Sequence, residues 1–299
     1  MKKIGISVWG LQEKYGDFEA LKIAKDIGAD AVDFAMANKR FDYRVEGSLY
    51  NKTDEEIVKY FTDLKNYADE LGIEICQTHG HDCGFKNKPE EDDALVENIR
   101  LNCLATAALG APVCVIHNAT SLYMGATPDP ELMHKLSYDL FTRTLPYAKK
   151  YNVKIATETF GDAYQNIDFF GDMDEFMKAY NTIKGIDEYK DYFTTCVDTG
   201  HSNKAAVLFG QPKVGDVIRR IGGDIAVLHL NDNDGIYDQH KPPKSGNIDW
   251  KDVFKALKEV DYNGVYNMEL KLNHFSENLL IETAEFSIKV LREMLNQED

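Results

Sequence analysis

Eight short runs rich in β-branched residues recur along the 299 residues, and longer segments of helical period lie between and after them. The runs are Lys3 to Val8, Ala29 to Phe34, Ile73 to Thr78, Val113 to His117, Val153 to Glu158, Phe193 to Asp198, Ile225 to Leu230 and Gly264 to Glu269. The helical segments are apolar on one side. Leu95, Ile99, Cys103, Leu104 and Ala107 make such a stripe, and Leu280, Ala284, Ile288, Leu291 and Leu295 make the last one. Gly28, Gly72, Gly110 and Gly222 stand just before strands, where a left-handed residue lets a helix end and the chain turn back. Strands separated by helices need crossover connections and so pair in parallel, and eight parallel strands close into a (β/α)8 TIM barrel of about this length. An open doubly wound sheet would want G-x-G-x-x-G after its first strand, which "SVWGLQEKYG" does not supply. No linker or low-complexity segment interrupts the pattern, so residues 1–299 are expected to form a single (β/α)8 barrel domain of the α/β class.

The ionisable residues of this pattern gather at one end of the strands. His79 follows the third strand, while His117, Glu158, Asp198 and Glu269 end the fourth, fifth, sixth and eighth, and His229 is near the end of the seventh. In a closed barrel these ends converge on one mouth. Any one buried His or Glu is commonly satisfied by a backbone partner. Six at corresponding positions would each need a separate partner, whereas a shared cation satisfies them together. Carboxylates with imidazoles suit a borderline or hard divalent ion, namely Mn²⁺, Zn²⁺, Co²⁺ or Mg²⁺. His201, three residues after Asp198, is expected to hold a substrate hydroxyl or another metal.

Composition narrows the partners. With 34 basic and 50 acidic residues the net charge is −16, which repels a polyanion unless a basic strip compensates, and no such strip is present. The pair Arg219-Arg220 fits a solvated helix face. Cys76, Cys83, Cys103, Cys114 and Cys196 lack C-x-x-C spacing, as expected of reduced thiols in a cytoplasmic protein. The start, "MKKIGISVWGLQEK", reads as a first strand rather than a signal. No run approaches the ~18 apolar residues of a membrane span, so a soluble protein is expected.

"ETF" at Glu158, "VDTGH" from Val197 to His201, "HLNDND" from His229, "DQH" from Asp238 to His240 and "MEL" around Glu269 stand in the order of strand-end motifs seen elsewhere. By these motifs the chain resembles the xylose isomerase-like TIM-barrel superfamily, which includes sugar and sugar-phosphate isomerases and epimerases as well as the endonuclease IV type of DNA-repair enzyme. The resemblance to the ketose epimerases implies one divalent cation held by Glu158, Asp198, His229 and Glu269. It also implies that Glu158 and Glu269 move the substrate proton through a metal-stabilised enediolate, with His201 on a hydroxyl. The endonuclease branch implies three zinc ions on nine ligands, and His79, His117, His201, Asp238 and His240 would complete that set, as additional metal ligands or as substrate contacts. That alternative is a phosphodiesterase acting on abasic DNA. A further one is a related lyase or dehydratase acting on a keto-sugar or inosose. The acidic loops "GDAYQNIDFFGDMDE" and "NDNDGIYD" disfavour nucleic acid as a partner, since a DNA-binding mouth needs phosphate contacts from Lys and Arg. A small sugar or sugar phosphate is therefore the expected partner, and the superfamily's dimers and tetramers allow a homo-oligomer.

Other residues carry weaker expectations. Trp9 lies just past the first strand and Phe34 ends the second, so both are expected as apolar walls of a substrate pocket. Trp250 is expected to pack in the core. Asp232 and Asp234 should shape a polar turn or touch substrate, and His81 and Asp82 lie where they could reach it. Lys241, Lys244, Ser245 and Gly246 could anchor a phosphate but fit a solvated loop better. His134 and His274 have no motif around them and fit surface positions.

Overall fold

The structure is a computed structural model that describes residues 2–81, 84–125, 127–163 and 166–297. All eight expected strands are present: β1 (Ile4–Ser7), β2 (Ala31–Ala35), β3 (Glu74–His79), β4 (Val113–Ile116), β5 (Lys154–Glu158), β6 (Phe193–Asp198), β7 (Ile225–His229) and β8 (Tyr266–Met268). They pair in parallel in the order β8-β1-β2-β3-β4-β5-β6-β7. A parallel bridge between Leu230 and Met268 brings the two edges together, with Leu230 N donating to Asn267 O at 2.8 Å. The result is a nearly closed (β/α)8 barrel. Its helices are α1 (Trp9–Tyr15), α2 (Asp17–Asp26), α3 (Asp54–Leu71), α4 (Pro89–Ala108), α5 (Pro130–Tyr151), α6 (Met173–Lys184), α7 (Thr199–Phe209), α8 (Val214–Ile221), α9 (Trp250–Glu259) and α10 (Leu280–Asn296). Among the described residues no helix is long and apolar enough to cross a membrane.

Local sequence accounts for the helix ends. Thr53 and Glu56 form a reciprocal capping box at the start of α3, and Gly72 closes that helix in the left-handed conformation. The expected apolar stripes of α4 and α10 face the sheet, where Ile99, Cys103, Ala284, Ile288 and Leu291 are buried in the main core.

Inside the barrel a second, smaller apolar cluster forms a floor from Val113, Val115, Ala156, Cys196 and Val227. A strand returns to the same face every second residue. One step beyond Val115, Ala156, Cys196 and Val227 therefore come His117, Glu158, Asp198 and His229, aimed at the same interior one level nearer the mouth. The pairing registers keep neighbours level, with Glu158 beside Cys196 and Asp198 beside His229.

The same period corrects one expectation. β2 runs on to Ala35, so the inward positions are Asp33 and Ala35, and Phe34 points outward between sheet and helices. Its ring packs 6.3 Å from that of Phe41 and 6.0 Å from that of Phe61 on α3. Phe34 is a core residue, not a pocket wall.

Candidate metal centre

Glu158, Asp198, His229 and Glu269 present ligand atoms that all lie within 4.8 Å of one another. His229 Nδ1 is 3.1 Å from Glu158 Oε1 and 3.4 Å from Glu269 Oε2. Asp198 is held for this task. Its Oδ1 accepts from His201 N at 2.7 Å, capping α7, and its Oδ2 accepts from Asn231 Nδ2 at 2.7 Å. The glycine of "DTGH" makes this possible, because a Cβ on Gly200 would sit 1.9 Å from Asn231 Oδ1.

Around this quartet stand the other five expected residues. His117 Nε2 is 3.0 Å and His79 Nε2 3.4 Å from Glu158 Oε2. His201 Nδ1 lies 3.3 Å from Glu158 Oε1, and its Nε2 lies 3.6 Å from Asp238 Oδ1. His240 Nε2 is 3.0 Å from the same Asp238 oxygen. The structure thus brings all nine sequence-derived candidates into one cluster. Asp198, His201 and His240 form a further group of possible ligands, as do His79, Glu158 and His229.

Three rings share an orientation. Nδ1 of His79, His201 and His240 faces the carbonyl oxygens of Gly80 (2.9 Å), Thr159 (3.1 Å) and Glu269 (3.1 Å). A carbonyl only accepts, so in the neutral rings Nδ1 carries the hydrogen and Nε2 keeps its lone pair. His229 is turned the other way, with Nδ1 toward the carboxylates and Nε2 toward Asp33 Oδ2 at 3.3 Å.

The electrostatics are those of a crowded, buried cluster. Burial opposes ionisation of Glu158, but the rings of His229 and His117 outweigh it and hold this carboxyl well below its ordinary range. Burial, joined by the neighbouring Glu158 and Glu269, outweighs His201 and His240 at Asp198 and pushes it up. His79 is penalised by burial yet raised to about 9 by Glu158 and Glu269, and His240 is raised to about 8 by Asp238 against the same penalty. The donor set fits a divalent cation on a further observation: Glu158 Oε1 and His229 Nδ1 are buried without hydrogen-bond partners although they nearly touch. Ligands bonded at ~2.1 Å and roughly at right angles lie about 3 Å apart.

Above the quartet opens a cavity of about 640 Å³, whose wall includes His79, His117, His201, Asp238, His240 and Glu269. Glu158, Asp198 and His229 lie beneath it. Glu269, at 20% side-chain exposure, is the member of the quartet that reaches the open space. Trp9, at the start of α1, lines the cavity. Phe160 takes the part expected of Phe34, its ring 5.2 Å from that of His117 and 5.4 Å from that of His201. Lys204, Lys271, Asn38 and Glu13 also line the cavity and carry no motif. Lys271 Nζ donates to Asp238 O at 2.7 Å.

The remaining candidates have structural places. Asp232 accepts from Trp250 Nε1 at 2.8 Å and from Asn233 N at 3.0 Å, which buries Trp250 and shapes the loop after β7. Asp234 caps a turn through Ile236 N and Tyr237 N. Lys241, Lys244, Ser245 and Gly246 are absent from the cavity wall, and Lys241 pairs its backbone with Asp232. His81 lies with Nδ1 3.3 Å from Asn102 Nδ2, away from the cavity wall. Asp82 and Cys83 lie outside the described residues. His134 pairs with Glu175 at 2.6 Å, and His274 meets the carbonyl of Gln239. Cys76, Cys103, Cys114 and Cys196 are buried free thiols.

Known proteins share this framework. A Sinorhizobium fredii (strain NBRC 101917 / NGR234) protein, y4fM, described as uncharacterized, is 26% identical over 204 residues, 67% of this chain and 61% of that protein, so the chain spans less than two thirds of its length. A crystal structure of a D-tagatose 3-epimerase-like protein superposes with a TM-score of 0.73 at 22% identity, covering 98% of this chain and 97% of that one. The IolI protein, in a structure with a bound zinc atom, superposes with a TM-score of 0.70 at 18% identity, covering 96% of each chain. The model of the xylose isomerase-like TIM barrel matches residues 21–294, and the chain belongs to that family.

Proposed function

We propose that this chain is a divalent-metal-dependent isomerase or epimerase of a sugar or sugar phosphate, with Glu158 and Glu269 as its acid/base pair. The observation that carries this reading is the close, unbonded approach of Glu158 Oε1 and His229 Nδ1 at the base of the cavity. Glu158, Asp198, His229 and Glu269 would hold the cation. When bound, it supplies a Lewis acid that stabilises negative charge developing on a substrate oxygen.

The chain's own residues do the rest. Glu269 reaches the cavity and can take or return a proton at a substrate carbon. Glu158 lies lower, its Oε2 flanked by His117 and His79, whose rings both reach the cavity. Carboxylates from β5 and from the end of β8 meet at the base of the cavity, Glu269 on its wall and Glu158 beneath it, and exchange of a proton between two faces or two carbons would use the pair. Trp9, Phe160 and Leu270 supply apolar wall that excludes water and packs on the carbon face of a sugar. His201, with Nδ1 at the Thr159 carbonyl, aims Nε2 at the open space beside Asp238, where a hydroxyl would lie. The D-tagatose 3-epimerase-like neighbour supports a sugar as substrate, and the zinc of the IolI structure supports a metal. A cytoplasmic location goes with this reading and is supported by the four buried free thiols.

The test is solvent isotope exchange. Incubation with candidate ketoses and Mn²⁺, Co²⁺, Zn²⁺ or Mg²⁺ in deuterium oxide should label the substrate carbon, and Glu269→Gln should abolish labelling. A second reading, phosphodiester cleavage on abasic DNA, is favoured by one observation, the gathering of all nine candidate ligands. The net charge of −16 opposes it. Three metal ions per chain and nicking of an abasic duplex would decide for that reading; one ion and labelling decide for the first. A lyase or dehydratase acting on a keto-sugar or inosose would release water or an aglycone instead of returning the proton.

A further inference from the structure

We propose that Asp33 is a positioning residue for the metal centre. Its carboxylate fixes the His229 ring in the Nε2–H form, so that Nδ1 keeps a lone pair for the cation between Glu158 and Glu269. The inference rests on the metal reading above and goes beyond it, because Asp33 is on β2, remote in sequence from every ligand.

Asp33 interrupts the otherwise apolar run "AVDFA", and its side chain is fully buried. A carboxylate in such a place is costly unless something compensates it. Among the described residues its ion-pairing partner is His229, whose Nε2 lies 3.3 Å from Asp33 Oδ2. Asn267 Nδ2 donates to the same oxygen at 3.5 Å. The strands are built to allow this. The register of β2 against β3 slips between Val32 and Asp33, which sets Asp33 level with Gln77, and such an irregularity re-aims a side chain. On the other flank a Cβ on Gly5 would sit 2.8 Å from Asn267 Oδ1, so only glycine on β1 leaves room for that amide.

The contrast with the other rings gives Asp33 its role. His79, His201 and His240 are each oriented by a backbone carbonyl at Nδ1, and each presents Nε2 to the site. Among the described residues no carbonyl faces either nitrogen of His229. Its Nδ1 is the nitrogen facing Glu158 and Glu269, and without a fixed acceptor on the far side the ring hydrogen could occupy either position. With a cation between Glu158 and Glu269 taking up the Nδ1 side, a carboxylate at Nε2 removes that freedom, since it can only accept. Gln77 Nε2 lies 3.0 Å from the same ring nitrogen, and a hydrogen on His229 Nε2 requires that amide to turn over and offer its oxygen instead. A carboxylate behind a ligating imidazole also makes the other nitrogen a stronger donor to metal.

The test uses the full-length protein with Mn²⁺ as probe. Titration calorimetry on the wild type, Asp33→Asn and Asp33→Ala should give affinities that fall in that order, the last roughly 10–100-fold weaker than wild type. The asparagine retains an acceptor and loses only the charge, so it should fall between the two, and it carries the comparison if the alanine variant does not fold. Independently, long-range ¹H–¹⁵N spectra of the Zn²⁺-loaded wild type should show the His229 Nε2–H resonance shifted downfield, as a carboxylate acceptor makes it, and Asp33→Asn should move that resonance upfield. Wild-type affinity in a folded variant, or an Nε2–H resonance that Asp33→Asn leaves in place, overturns the role of Asp33 and leaves the metal reading standing. A wild type that binds no divalent ion overturns the metal reading instead.

Discussion

Glu158 Oε1 and His229 Nδ1 lie 3.1 Å apart beneath the barrel mouth, both buried and neither hydrogen-bonded. A carboxylate oxygen and an imidazole nitrogen left without hydrogen bonds at this distance in a low-dielectric site are donor atoms for a cation, and an ion between them stabilises the fold. Chelation should therefore lower stability as well as activity. At a metal concentration 1,000-fold above the dissociation constant the bound ion contributes ~4 kcal/mol, so a chelator should drop the melting temperature by roughly 5–10 °C, and added Mn²⁺ should restore it. Differential scanning fluorimetry with and without chelator checks this. An unchanged melting temperature together with no bound metal would remove the basis of the site.

The two glutamates differ in depth, and their amide variants should differ in kind. Glu269 reaches the cavity, whereas Glu158 is enclosed and touched by His79, His117, His201 and His229. Glu269→Gln should lose about 10²–10⁴ in kcat while metal still binds, because a positioned base contributes about that much. Glu158→Gln should lose both turnover and metal, since a neutral amide can no longer balance the rings around it. Metal analysis of the purified variants beside steady-state kinetics separates the outcomes.

The barrel and six of the nine clustered residues are legible because they follow from short-range pattern: runs of period 2, helices between, and an ionisable group at six of the eight strand ends; His201, Asp238 and His240 join the set through the family resemblance. Asp33 and Gln77 were not, since their partner His229 is on the far side of the barrel and nothing local marks a carboxylate in "AVDFA" as its acceptor. Phe34 was assigned to the wrong face because the strand ends one residue later than expected, and a shift of one residue reverses every side chain. Phe160 follows Glu158 within the quoted "ETF", but the loop that carries its ring to the cavity wall has no repeating pattern to read.

The pH response should differ with and without metal. In the metal-free cluster His79 is raised to about 9 by Glu158 and Glu269, and His240 to about 8 by Asp238, in each case against burial. A raised histidine contributes stability that is fully present below its ordinary value of ~6.5 and is lost as pH climbs through the folded value. The metal-free protein should thus become less stable from about pH 6.5 to 9. Metal competes with those protons, so the stabilisation by added Mn²⁺ should grow over the same window. Melting curves at several pH values, with chelator and with Mn²⁺, should diverge upward; parallel curves would show that the rings do not exchange protons for metal.

Trp9 and Phe34 test whether the wall has been correctly drawn. Trp9 is 41% exposed and faces the cavity, whereas Phe34 is fully buried against Phe41 and Phe61. Removing Trp9 takes away surface that a sugar would cover and little that folding buries. Trp9→Ala should therefore raise KM several-fold and change stability by no more than ~1 kcal/mol. Phe34→Ala leaves a cavity between sheet and helices and should cost ~3–5 kcal/mol, while kcat/KM at a temperature where the variant stays folded remains near wild type. Urea unfolding paired with kinetics on both variants checks the assignment, and a KM change in Phe34→Ala without loss of stability would return that ring to the pocket.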